Sequence, residues 1–172
     1  MPKNPAVTVA KEKVTENRER VLSTGVNVRI VPISASLIME VQQHIPFPPV
    51  PIIYDEEKNQ TYENPNHPSY LRGVEEVETM RSTAAMDAII MFGVELLDGI
   101  PEDDTWLRKL KTMDKNGAIG LKVYDLEDPI DLEFLYKKFI AVSSDDFQLI
   151  SSMAGVTQDG IEAAEDSFQN DA

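Results

Sequence analysis

IPFPPVPIIYDEEKNQTYENPNHPSY, residues 45–70, decides how this chain of 172 residues is laid out. Six of its residues are proline: Pro46, Pro48, Pro49, Pro51, Pro65 and Pro68. Each fixes its own φ, removes a backbone donor, and drives the residue before it out of the helical basin. The stretch must therefore run extended, then turn, then be released into whatever follows Pro68. Within it, Val50 to Tyr54 reads as a short strand, DEEKNQ as a turn, and the residues around Thr61 and Tyr62 as a further strand.

N-terminal to this stretch, VNVRIV (Val26 to Val31) alternates apolar and polar residues as a half-buried strand does, and Pro32 ends it. Ser34 or Ser36 is placed to cap a short helix, ASLIMEVQQHI, that stops before Pro46. The simplest arrangement of these strands is a two- or three-stranded antiparallel sheet. Met1 to Thr24 is polar and without clear periodicity, and reads as a flexible arm with a short helix at Lys11 to Leu22.

C-terminal to the stretch, Asn66 can cap a long helix with Pro68 in its first turn, where a missing N–H costs nothing. Leu71, Val74, Val77, Ala84, Ala85, Ala88 and Phe92 recur at helical spacing and carry the helix to about Leu97. Gly99 and Pro101 close it, and Pro101 opens a second helix, PEDDTWLRKLKTM. That helix has acids first and Arg108, Lys109 and Lys111 later, the order its dipole favours. Asn116 to Gly120 breaks the chain, and LKVYDL is strand-like. Asp128-Pro129 starts a helix through Leu132, Leu135, Phe139 and Ile140, and Ser144 to Met153 and Thr157 to Phe168, joined at Gly155, follow. The expected fold is α+β and helix-dominant, a small N-terminal antiparallel sheet followed by a helical body. It divides into a flexible arm (1–24), an α+β core domain (25–142) and an acidic helical C-terminal segment (143–172).

Composition narrows the function. The net charge is −14, from 30 acidic and 16 basic residues. From Ser143 onward there is no Lys or Arg, against Asp145, Asp146, Asp159, Glu162, Glu165, Asp166 and Asp171. Such a body repels phosphate backbones, which argues against nucleic acid as a partner and allows a basic or amphipathic one. Absence of cysteine excludes disulfides and thiolate metal sites and suits a reducing compartment. No apolar run resembles a signal peptide or reaches membrane-spanning length. The expectation is a soluble, intracellular protein that does not engage membranes, in which the sequon at Asn59 is coincidental.

Catalytic signatures are missing. His44 and His67 lack HxH or HExxH spacing and read as a helix end and a turn residue, so no metal site is expected. Asp125, Glu127, Asp128 and Asp131 lack the glycine and the terminal glutamate of a calcium loop, and read as a helix start. Asp103-Asp104 and Asp145-Asp146 read as acidic first turns. There is no GxSxG, P-loop or GxGxxG, so neither a nucleophile nor a cofactor cradle is expected. Apolar residues are more informative. Met80, Met86 and Met91 recur along the long helix with Phe92 at its end, and methionine suits surfaces that accept varied apolar partners. Together with Phe47, Val50 and Ile52 of the proline stretch they form the candidate partner-binding set, and Trp106 is expected to anchor its helix to the body.

Val28 to Arg81 resembles the tail assembly chaperones of long-tailed, siphovirus-like phages. The likeness is carried by VRIVPISASLIMEVQQHI, by PFPPVPII, by the acidic turn, and by ENPNHPSY, whose Asn64, Pro65, Pro68 and Tyr70 match an NP-x-x-P-x-Y pattern. The resemblance implies a non-enzymatic binder in the host cytoplasm. It would coat the helical tape-measure protein, keep it soluble, help tail-tube protein assemble around it, and have scope for self-association. A structural tail or connector subunit retained in the virion is the alternative. An enzyme fits less well because it needs a convergent polar pocket that the sequence does not advertise, and an acidic nucleic-acid mimic because the carboxylates gather at helix starts and at the C-terminus.

Overall fold

Val28 and Ile30 lie at the centre of the fold with no exposed surface, as the alternation of VNVRIV requires. The computed structural model describes residues 18–56 and 58–156. Within them, β1 (Glu19–Val21), β2 (Asn27–Ile30) and β5 (Val94–Leu96) form an antiparallel sheet in the order β1-β2-β5. Ile30 is opposite Val94, and Arg29 is opposite both Glu19 and Glu95. On the outer face Arg29 therefore bridges Glu19 at 2.9 Å and Glu95 at 3.4 Å, a cross-strand row that favours this register while adding little stability at its exposure.

Two expectations about this sheet are corrected. The described end of the short helix expected at Lys11 to Leu22 is not helical: Glu19 to Val21 is a strand, and the rest of that expectation, within residues 1–17, lies outside the described residues. Pairing with β2 overrides local preference, and Ile30 N donates to Arg18 O at 2.9 Å to extend it. Nor do the strands of the proline stretch join β2: β3 (Ile52–Asp55) and β4 (Gln60–Glu63) pair only with each other, as a separate hairpin. Four prolines between α1 (Ala35–Gln43) and β3 carry the chain away from the sheet before it can pair.

α1 runs from the Ser34 cap position to His44, whose Nδ1 lies 2.8 Å from Glu40 O. It packs on α2 (Pro68–Gly93) and contributes Ile38 to the core. Pro68 stands at the start of α2 as expected, but the cap is His67 rather than Asn66: Ser69 N donates to His67 Nδ1 at 3.3 Å. The helix ends at Gly93, short of Leu97, because the next three residues are claimed by β2 as β5. α3 (Thr105–Asp114) starts beyond Pro101, where Asp103 accepts the Thr105 N–H at 3.0 Å.

Leu121 to Val123 is a single 3-10 turn rather than a strand. Leu121 is buried against Leu110, Ile119 and Leu135, and the local Tyr124 N to Leu121 O bond (3.1 Å) closes the turn. α4 (Pro129–Tyr136) begins as read from Asp128-Pro129, with Asp128 accepting from Ile130 N at 2.9 Å. It widens into a π-turn, Lys137–Ala141, and α5 (Ser144–Ala154) follows, capped by Ser143.

The main core joins the sheet, α1, the C-terminal part of α2, and α5, through residues such as Val28, Ile30, Ile38, Ile89, Ile150 and Ala154. A smaller cluster of Leu110, Ile119, Leu121 and Leu135 holds α3 to α4, and Trp106 meets Tyr136 edge-on with ring centroids 5.2 Å apart, the anchoring role expected of it. Ile150 and Ala154 have no exposed surface, so α5 packs into the main core. The helix expected at Thr157 to Phe168 lies outside the described residues.

Gly155 ends α5 with φ +83°, and the bonds Gly155 N to Ser152 O (3.2 Å) and Val156 N to Ser151 O (3.0 Å) tuck Val156 into the core. A Cβ there would meet nothing within 4 Å, so only the left-handed backbone opposes a side chain. Gly155→Ala is expected to lower stability by about 1 kcal/mol, read as a shift of the urea midpoint with unchanged slope.

Candidate partner-binding surface

Helix α2 is long enough to leave its two ends in different surroundings. Its C-terminal third is pressed into the core through Ala88, Ile89 and Ile90, while its outward side meets the π-turn and the start of α5. Between them lies an open groove of about 320 Å³. Ile90, Val142 and Phe147 form its apolar floor, and Met86 and Phe139 its lips. The lips are 40% and 37% exposed, so both are held in place by the protein and still reach solvent. Asp87 and Lys138 close one side as an ion pair of 2.7 Å, with the Lys138 ammonium also 5.7 Å from the centre of the Phe139 ring. Thr83, Ser143 and Ser144 supply polar groups at the margin.

Of the seven residues picked out in the sequence, Met86 is the one in this groove. Met80 is exposed and Met91 half-buried. These two lie eleven residues apart and so share one side of α2, about 120° from Met86. Phe92 is exposed at the end of the helix. Phe47 meets α2 differently, with the Arg81 guanidinium carbon 4.1 Å from the centre of its ring, while Arg81 Nε donates to Ile45 O at 2.8 Å. The proline stretch can come this close because Gly73 has no side chain: a Cβ there would sit 3.1 Å from Pro48. Val50 is half-buried before β3, and Ile52 is exposed on β3 beside Tyr54. The candidate set is thus spread over three places rather than forming a single stripe.

Phe139 reads in the sequence only as an apolar position of its helix, and Val142 and Phe147 do not stand out at all. Their spacing of three and five residues spans a π-turn and a helix start, so no helical period marks them as one surface.

The acidic groups serve the backbone. Asp125 accepts from Glu127 N (2.9 Å), Asp128 from Ile130 N (2.9 Å) and Asp131 from Asp125 N (2.6 Å). Among the described residues no group of three or more His, Asp or Glu is arranged to hold a metal ion. Asp146 is a buried exception to the outward habit of the acids. It accepts from Ser23 N at 3.0 Å and from the hydroxyls of Ser23 and Ser143, each at 2.7 Å, and so ties the β1–β2 turn to the start of α5. The two serine hydroxyls also lie 2.8 Å from one another, so the three side chains form one compact polar cluster at this junction.

Among the described residues no helix is long and apolar enough to cross a membrane. Comparison with known proteins finds no match for this chain among family models, curated proteins or solved structures.

Proposed function

We propose that the protein is a non-enzymatic tail assembly chaperone of a long-tailed phage, which binds amphipathic helices of the tape-measure protein and keeps them soluble until tail-tube protein encloses them. The observation that carries this reading is the open apolar groove between α2 and α5, with methionine and phenylalanine lips on a body of net charge −14. An amphipathic helix can lay its apolar face in such a groove, and a flexible methionine lip tolerates partners of varied sequence. The acidic body disfavours nucleic acid, attracts basic flanks on the partner helix, and keeps the complex dispersed. The resemblance of Val28 to Arg81 to such chaperones points the same way.

The test is co-expression with the tape-measure protein of the same genome, affinity recovery, and mass analysis of purified virions. A soluble complex is expected, with this chain absent from the particle. A Met86→Asp/Phe139→Asp double variant is expected to stay folded and to weaken the complex by roughly 100-fold or more, as each charge buried in an apolar contact costs at least ~1.4 kcal/mol. Undiminished binding by that variant would remove the groove from the reading.

A structural subunit retained in the particle is favoured by a different feature, the β3–β4 hairpin. Ile52, Tyr54 and Tyr62 are exposed on it, and a two-stranded sheet is marginal in water unless something covers it. Presence of the chain in virions at fixed stoichiometry would select this second reading.

A further inference from the structure

Among the described residues, positive charge is densest in one stretch of this acidic chain. Arg108, Lys109, Lys111, Lys115 and Lys122 fall in a stretch whose one acid is Asp114. All five cations are exposed. Asp114 is turned inward, accepting from Leu121 N at 3.0 Å, and Arg108 is engaged by Asp104 at 3.1 Å. Lys109, Lys111, Lys115 and Lys122 make no ion pair among the described residues.

The stretch also has a shape. Thr105, Arg108, Lys109, Thr112 and Met113 line a shallow trough of about 580 Å³. Their spacing places them on one side of α3, and Lys115 continues the row two turns beyond Arg108. Met113 is half exposed at its end, and Val123 is exposed nearby in sequence. The result is a cationic strip with apolar patches, on the face of α3 away from the cluster that Leu110 holds to α4.

The chain carries a counterpart. Residues 157–172 hold Asp159, Glu162, Glu165, Asp166 and Asp171, no Lys or Arg, and the apolar residues Ile161, Ala164 and Phe168 three and four apart. The described residues stop at Val156. Sixteen further residues can extend for about 50 Å, more than the ~40 Å width of a domain of this size, so α3 is within reach. Covalent attachment gives the segment a local concentration in the millimolar range, enough for a modest electrostatic contact to persist.

We propose that the acidic segment 157–172 docks on the basic outer strip of α3 in the same chain, its carboxylates on Lys109, Lys111 and Lys115 and its apolar residues against Met113. This contact covers the densest group of exposed cations among the described residues. It does not depend on what the groove between α2 and α5 binds.

The absence of cysteine makes the test direct. In full-length chain labelled with 15N, Asn170→Cys carries a single nitroxide, and paramagnetic broadening is read at backbone amides. Amides of Thr105 to Asp114 are expected to lose most of their intensity at low salt. They should regain it near 0.5 M salt, where the screening length falls to about 4 Å. Adding Lys109→Glu, Lys111→Glu and Lys115→Glu to the labelled chain should abolish the loss. Even broadening over the whole body, or broadening unchanged in the charge-reversed chain, would overturn the proposal. So would broadening that appears only when a nitroxide-labelled chain without 15N is mixed with unlabelled-cysteine 15N chain, because the contact would then join two copies.

Discussion

Asp146→Ala is expected to lower the stability of the protein by about 3 kcal/mol, measured by urea unfolding at neutral pH. The carboxylate is buried and takes hydrogen bonds from Ser23 N, Ser23 Oγ and Ser143 Oγ. Its removal leaves the Ser23 N–H facing a gap and unfastens the β1–β2 turn from α5. Loss of a buried charged acceptor is costly because its donors are left without water or partner. An unchanged urea midpoint would show that the turn finds other partners.

The same group makes a pH prediction. Burial pushes the Asp146 pKa up, but the hydrogen bonds from Ser23 and Ser143 outweigh burial and hold it below the ordinary aspartate value. A carboxyl whose folded pKa is depressed binds protons less readily in the native state than in the unfolded one. Its stabilisation is therefore complete above the unfolded pKa of about 3.9 and is lost as the pH falls through the lower folded value. Wild-type stability should decline in this acid window, and the decline should be shallower in Asp146→Ala. Parallel acid limbs for the two proteins would contradict the assignment.

The second large effect is expected at Lys137. Lys137→Met keeps an unbranched side chain of similar reach and removes the ammonium, which is expected to cost about 2–3 kcal/mol in thermal or urea unfolding. Lys137 is buried, and its Nζ donates to Met91 O at 3.2 Å and Val94 O at 2.9 Å while pairing with Glu133 at 2.9 Å. The two carbonyls belong to the last turn of α2 and the first residue of β5, the point where one backbone pattern gives way to the other. A cation there meets the negative end of the helix dipole and satisfies an acceptor the helix leaves free. Without it, amide protons of β2 and β5 should exchange faster relative to those of α1. If stability and exchange are both unaffected, Lys137 is not what holds the junction.

These two residues show where sequence reading stops. Asp145-Asp146 was legible as the acidic first turn of a helix, and the structure places both there. That Asp146 turns inward depends on Ser23, 123 residues away, and nothing near Asp146 announces it. Likewise Lys137 reads as one of two adjacent lysines in a helix, and only the arrival of α2 beside it makes it a buried donor. The candidate site has the same character. Met86 stood out by its residue type, whereas Phe139, Val142 and Phe147 become a groove only when the π-turn brings them against α2. The spread of Phe47, Ile52, Met80 and Met91 over separate surfaces follows from where the proline stretch and the helix sides face.

The sequence by itself determined the class of fold and the points where elements begin and end under local control. Pro68 at the start of α2, Asp128-Pro129 at the start of α4 and Gly155 at the end of α5 act through their own φ and their own donors and acceptors, so they need no distant partner. Alternation in VNVRIV likewise decided which side of β2 is buried. Tertiary structure alone decided which strands share a sheet, that α2 stops at Gly93, and that Leu121 to Val123 turns instead of extending. A strand is stable only when another backbone supplies its hydrogen bonds. β2 takes β5 from 66 positions further along the chain, at Arg29 and Glu95, a pairing that local pattern does not encode.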